Sequence, residues 1–156
     1  MRFTSIKILT QNQENEIFEL WNKEYPCNIK FNKIKDLKDY LDKLDNQRHI
    51  LLLDESNKIK GWYFDFIRED ERWFATILDS EYQGKSYGTQ LLELGKQERL
   101  ELNGWVIKSD NYKKTIHQLY KSPLEFYIKN GFKVFENIKL NTEKISAIKI
   151  KWVKND

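Results

Sequence analysis

One short stretch carries the residue types and spacing for chemistry: Gln83-Gly84-Lys85-Ser86-Tyr87-Gly88-Thr89. It follows an apolar run that ends at Ile77 and Leu78, and it precedes the helix-like Leu91-Leu92. A strand, a glycine-bearing turn and a helix N-terminus together make an anion site. Glycine lets backbone approach a ligand closely. The first N–H groups of a helix have no partner inside it and lie at the positive end of its dipole. A phosphate or pyrophosphate fits there without a dedicated basic side chain.

Three phosphate-binding patterns compete for this stretch. Gly84-Lys85-Ser86 ends like a P-loop, but Asp79 stands where that motif needs its first glycine. A dinucleotide fingerprint needs three glycines in register, and only Gly84 and Gly88 are present. The pattern that fits is Gln/Arg-x-x-Gly-x-Gly/Ala. It resembles the pyrophosphate loop of the GNAT superfamily of acyl-CoA N-acyltransferases. Gln83 and Gly88 match its ends, Gly84 and Lys85 match its common Gln-Gly-Lys form, and Ser86 replaces its middle glycine.

A second motif lies downstream. Tyr127-x-x-x-Gly131-Phe132 resembles the Tyr-x-x-x-Gly-Phe that closes the GNAT core. The two motifs occur in the family's order, with a strand meander before them and a hairpin after, and the resemblance spans about Ile50 to Trp152. It implies an α+β, three-layer α/β/α fold with a mixed, mostly antiparallel sheet. That sheet would splay between a strand ending at Leu78 and one starting at Trp105, with residues 1–156 forming one domain. It implies acetyl-CoA as co-substrate, held by Ile77, Leu78 and the loop residues Gln83, Gly84, Lys85, Ser86, Tyr87, Gly88 and Thr89. The acceptor would be a primary amine on a small molecule or peptide.

The chemistry implied is thioester aminolysis. It needs a neutral amine, a fixed donor for the oxyanion and a proton for the leaving thiolate. In the family the oxyanion donor is main chain, here near Leu78. Tyr127 is the candidate general acid: a phenol of pKa ~10 stays protonated while a thiol of ~8.5 ionises. An Asn often stands seven residues before that Tyr, and here the position is Tyr120. No base is identifiable. Asp65, Glu69 and His117 are weighed and read as surface or structural groups. One cysteine, Cys27, and two separated histidines make no metal-ligand spacing. The alternative is a non-catalytic acyl-CoA-binding module of the same fold.

Periodicity supplies the elements that position these residues. Thr10 and Gln13 make a capping box for a helix bearing Ile17, Phe18, Trp21 and Tyr25, ended by Pro26. Leu37, Tyr40, Leu41 and Leu44 mark a second helix over 36–44. Strands are expected at 5–9, 50–53, 61–67 and 73–78, the last three as an antiparallel meander. In the second strand of the meander, Trp62, Phe64 and Phe66 face one way, and Tyr63, Asp65 and Ile67 the other. The helix after the loop is predicted to run through Leu100 and Leu102 and stop at Asn103-Gly104. A strand over 105–107 follows, then an irregular polar loop over 108–121. Ser122-Pro123-Leu124-Glu125 reads as a second capping box, before a short helix that Gly131 ends. A hairpin over 132–138 and 145–153 closes the chain.

Composition narrows the function classes. The 156 residues carry 27 basic and 24 acidic side chains, interleaved, for a net charge of +3. No block of like charge suggests a nucleic-acid groove. No basic-then-apolar leader and no apolar run near the ~20 residues of a membrane helix is found. With one cysteine, this predicts a soluble protein of the reducing cytoplasm. The state expected is monomer or homodimer, and the identity of the amine stays open.

Overall fold

The computed structural model describes residues 1–115 and 117–155. Seven strands form one sheet in the order β1-β2-β3-β4-β5-β7-β6. They are β1 (Arg2–Ile6), β2 (Asp45–Leu53), β3 (Ile59–Arg68), β4 (Glu71–Leu78), β5 (Glu101–Val106), β6 (Lys133–Asn141) and β7 (Ser146–Val153). Every neighbouring pair is antiparallel except β4 and β5. The sheet is therefore mixed and mostly antiparallel, as expected.

Alternation along β3 splits the core into two layers. Trp62, Phe64 and Phe66 pack against α1 (Gln11–Glu24) and α2 (Ile34–Asp42), with Ile17, Trp21, Leu37 and Leu41. On the opposite face Tyr63 and Phe74 pack against α3 (Tyr87–Lys96) and α4 (Leu124–Lys129), with Leu91, Leu92, Tyr127 and Phe132. A sheet buried on both sides needs such continuous apolar strands. The α/β/α layering follows from them.

Local signals account for α1. Thr10 accepts from the Gln13 N–H at 3.1 Å, and Gln13 Oε1 accepts from the Thr10 N–H at 2.9 Å, completing the capping box. The helix stops at Tyr25, before Pro26.

Several boundaries differ from expectation. β1 covers Arg2–Ile6 rather than 5–9. Its register places Arg2 opposite Leu53 and Ile6 opposite His49, and Ile8 is left 85% exposed in the turn to α1. α3 ends at Lys96, six residues short of Leu102. Glu98, at φ 62°, makes the left-handed turn, and Asn103-Gly104 lies inside β5 instead of ending a helix. Gly104 serves packing: a Cβ there would lie 2.7 Å from the Phe74 ring. β5 accordingly starts at Glu101 rather than at Trp105, and the splay lies between β4 and β5. It opens just past the single ladder pair Trp73↔Asn103.

The second capping box forms only in part. α4 begins at Leu124, with Pro123 at the cap. Ser122 Oγ accepts from the Leu124 N–H at 3.3 Å, while the Ser122 N–H donates to Asp110 at 2.7 Å. Asp110 thus takes the place intended for Glu125. The described residues of 108–121 form an irregular strap, as expected, that carries the isolated bridge Lys113↔Leu119. It is tied to the end of α1: Lys114 pairs with Glu24 at 2.8 Å, the Cys27 N–H donates to Lys113 O at 2.8 Å, and Thr115 donates to Asn22 O.

Asp65 is not a surface group. It is 0% exposed and sits among Arg48, Arg72 and Arg99 at 2.7, 3.2 and 3.1 Å, with the Tyr63 hydroxyl donating at 2.7 Å. A carboxylate so engaged is structural. At the far edge, β6 loses register between Phe135 and Lys139, which face Lys149 and Ile148 in turn and leave residues 136–138 out of the ladder.

Candidate active site

The Gly84–Thr89 stretch connects β4 to α3. Its start is riveted to α1. Glu24 accepts the Ser80 N–H at 2.9 Å, and Asp79 accepts from Lys23 Nζ and the Glu81 N–H, both at 3.0 Å. Burial alone would raise the Asp79 pKa. The Glu81 N–H and the Lys23 ammonium outweigh it and hold the carboxyl below its ordinary range.

Beyond the turn Ser80–Tyr82 the backbone takes left-handed angles at Gly84 (φ 76°) and Ser86 (φ 69°, ψ 6°). Ser86 therefore adopts the conformation that a glycine would take without strain. Among the described residues, the N–H groups of Gly84, Lys85, Ser86, Tyr87, Gly88 and Thr89 donate to no protein group; the first helical bond runs from the Gln90 N–H to Ser86 O. This is a row of donors at a helix N-terminus.

Gly88 keeps the row open. A Cβ there would lie 3.0 Å from the Phe126 ring and 3.9 Å from Leu78. Two residues missed from sequence, Lys60 and Tyr82, border the same loop. Lys60 and Lys85 each hold their ammonium over the Tyr82 ring, at 5.7 and 5.6 Å. Lys60 lies on β3, too far along the chain for a local motif to include it.

Next to this row the sheet parts. The Asp79 N–H donates to Lys60 O at 2.8 Å, so Asp79 and Ile77 bond toward β3. Antiparallel alternation then turns the amides of Thr76 and Leu78 the other way, toward β5. β5 pairs with β4 only at Trp73, so these two N–H groups open into the splay. Leu78 thus offers a main-chain donor. Ile77 does not: its amide pairs with β3, and its side chain lies in the core against α1.

Tyr127 projects from α4 among Phe74, Phe126 and Phe132, with ring centroids 5.8, 5.3 and 5.5 Å away. The ring is 6% exposed. Among the described residues its hydroxyl has no hydrogen-bond partner; the bonded tyrosine hydroxyls are those of Tyr63 and Tyr112. Burial, with a smaller contribution from Tyr120, pushes the phenol well above its ordinary pKa. Of the other weighed groups, Glu69 is exposed in the β3–β4 turn and His117 is exposed in the strap. The structure does not bring either into the buried set around Tyr127. Among the described residues, no group of three potential metal ligands is present.

No protein-family profile matches the chain, and no curated relative does. Solved structures do. An aminoglycoside 6'-N-acetyltransferase complexed with coenzyme A matches over 100% of both chains at TM-score 0.73 and 13% identity. An acetyltransferase of the GNAT family from Staphylococcus aureus matches over 97% of this chain and 99% of its own, at 0.68 and 15%. A spermidine/spermine N-acetyltransferase from Vibrio cholerae matches over 97% and 92%, at 0.63 and 17%. At these identities the likeness is one of fold.

Proposed function

We propose that this chain is a single-domain, cytoplasmic N-acetyltransferase that moves an acetyl group from acetyl-CoA to a primary amine of a small molecule or peptide. The observation that carries the proposal is the row of unpartnered N–H groups from Gly84 to Thr89, beside a splay into which the Leu78 amide points. Three features fit coenzyme A: adjacent donors for a pyrophosphate, the lysines at Tyr82, and a gap between strands for an extended arm.

Each step has a group in place. The Leu78 N–H meets the charge that develops on the thioester oxygen and is fixed in place by the strand before reaction. Tyr127 stays protonated at any working pH and points no hydrogen bond at protein. Its elevated pKa makes complete transfer to a water-exposed thiolate uphill. In the apolar surroundings of Phe74 and Phe126 the thiolate is also desolvated and more basic. The proton then has a reason to move, or to be shared, as the C–S bond breaks.

The test is calorimetric titration with acetyl-CoA, followed by turnover. Wild type is expected to bind at micromolar Kd, and Gly88→Trp is expected to abolish binding by filling the space beside Phe126. Tyr127→Phe is expected to lower kcat by ~10²-fold, in the range of acid–base groups. Its stability and cofactor affinity should hold, since the hydroxyl bonds to no protein group. Binding without turnover on any amine would leave an acyl-CoA-binding module. Absence of binding would remove the proposal.

A further inference from the structure

Three tyrosines gather where β4 and β5 part. Tyr25 caps α1, Tyr120 ends the strap and Tyr127 lies on α4. Tyr25 and Tyr120 share a cluster with Trp105, Ile107 and Ile145. Tyr120 and Tyr127 are 8% and 6% exposed. Among the described residues none of the three hydroxyls has a protein partner. Tyr25 and Tyr120 pack in that one cluster, a charge on Tyr120 is felt at both Tyr25 and Tyr127, and burial holds all three well above the ordinary phenol pKa. The rings are largely covered while the hydroxyl oxygens stay accessible, since among the described residues the buried side-chain polar atoms without partners are Arg48 Nε and Asn103 Oδ1; the three hydroxyls are therefore free to bond to a ligand in the gap.

The charges around the cluster are engaged elsewhere. On α1, Lys23 binds Asp79, and Glu24 binds Lys114 and the Ser80 N–H. On the strap, Asp110 is the carboxylate that Tyr120 senses; it is exposed and accepts the Ser122 N–H. From the sheet, Arg68 and Lys149 lie over Trp73, and Arg68 is the charge felt by Tyr40 of α2. Glu125 on α4 and Glu143 and Lys144 in the β6–β7 turn are exposed. Among the described residues, no buried carboxylate is left over to receive an ammonium.

From this arrangement we infer that the acceptor is a weakly basic amine on an apolar body, bound uncharged: an α-amino group such as that of an amino-acid amide, rather than a polyamine or an alkylamine. The inference rests on the acetyltransferase reading above and deepens it. An ammonium entering a site of neutral phenols and rings would surrender its hydration for no counter-charge. An α-amino group of pKa ~7.8 is uncharged in about one molecule in seven at pH 7, against about one in 2,500 for an alkylamine of ~10.4.

The neutral amine needs no base. Its lone pair forms the C–N bond to the thioester carbonyl, and the C–S bond breaks with its electron pair on sulfur. One N–H proton reaches sulfur, through the Tyr127 hydroxyl. Amine and acetyl thioester give amide and thiol, with no proton left over.

The test is kcat/KM against pH, from 6 to 11, for phenylalanine amide and phenethylamine, which share an arylalkyl body and differ in basicity. Each profile is expected to rise with unit slope to the pKa of its own acceptor and then level, with the two inflections about 2.6 pH units apart. Asp110→Asn is expected to leave both inflections in place. One shared inflection near neutrality, or its loss in Asp110→Asn, would show an enzyme group deprotonating a bound ammonium and would overturn the inference. Preference for spermidine over phenylalanine amide at pH 7 would overturn it as well. Either result would leave the acetyltransferase standing, whereas no turnover with any amine would remove both.

Discussion

His49 makes the protein sensitive to mild acid. It lies in β2 with 0% exposure, stacked on Trp62 at 6.0 Å. Trp62 Nε1 can only donate, and it is 3.0 Å from His49 Nδ1, so that nitrogen carries no proton. Nε2 carries it instead and donates to Gln47 Oε1 at 2.7 Å. Burial, opposed by the charge of Asp65, lowers the pKa to about 4. The unfolded chain holds the same ring at about 6.5. Between these values the unfolded state binds the extra proton, so stability falls as pH drops from 6.5 toward 4; above that window the ring is neutral in both states. The full difference amounts to about 3 kcal/mol, of which about 2 kcal/mol is lost between pH 7 and pH 5. Urea unfolding at the two pH values measures it. His49→Gln keeps an acceptor and a donor without titrating, and should lose about 2 kcal/mol less over the same interval. Equal losses in wild type and variant would refute the neutral, doubly bonded histidine.

Two further substitutions probe the loop and the core. Ser86→Gly relieves a left-handed serine worth ~1–2 kcal/mol at a cost of ~0.5–1 kcal/mol in chain entropy. It should therefore raise Tm by up to about 6 °C for a chain of this size, without weakening acetyl-CoA binding. Gly95→Ala places a Cβ 2.4 Å from Cζ of Tyr63, whose hydroxyl is pinned by Asp65 at 2.7 Å. A loss of about 3 kcal/mol is expected in thermal or urea unfolding, at the upper end of overpacking effects.

The features legible in the sequence were those set by near neighbours. Thr10 and Gln13 are three residues apart and complete each other's bonds. The meander shows in the alternation around Trp62 and Tyr63, and the strand-to-helix turn in Gly84 and Gly88. What escaped was set by contacts distant in sequence. Gly104 carries the usual mark of a helix stop, yet it is needed where the Phe74 ring crosses β5. Asp65 looked like an ordinary polar strand residue because its arginines come from residues 48, 72 and 99. Glu24 gave no sign that it holds both the strap and the start of the loop. Tyr120 stood out only as a departure from a motif, and its burial beside Tyr25 depends on how the strap folds back.

The irregularity in β6 has a consequence for solubility. An outer strand offers unpaired backbone groups to any other chain in extended form, and seeds aggregation if it is long and flat. Here residues 136–138 leave the ladder in mid-strand, which bends the strand and interrupts any continuous template. Lys133 and Lys139 flank the interruption and add charge to both remaining pieces. Phe135 and Ile138 can therefore stay partly exposed on this edge without making it adhesive in a crowded solution.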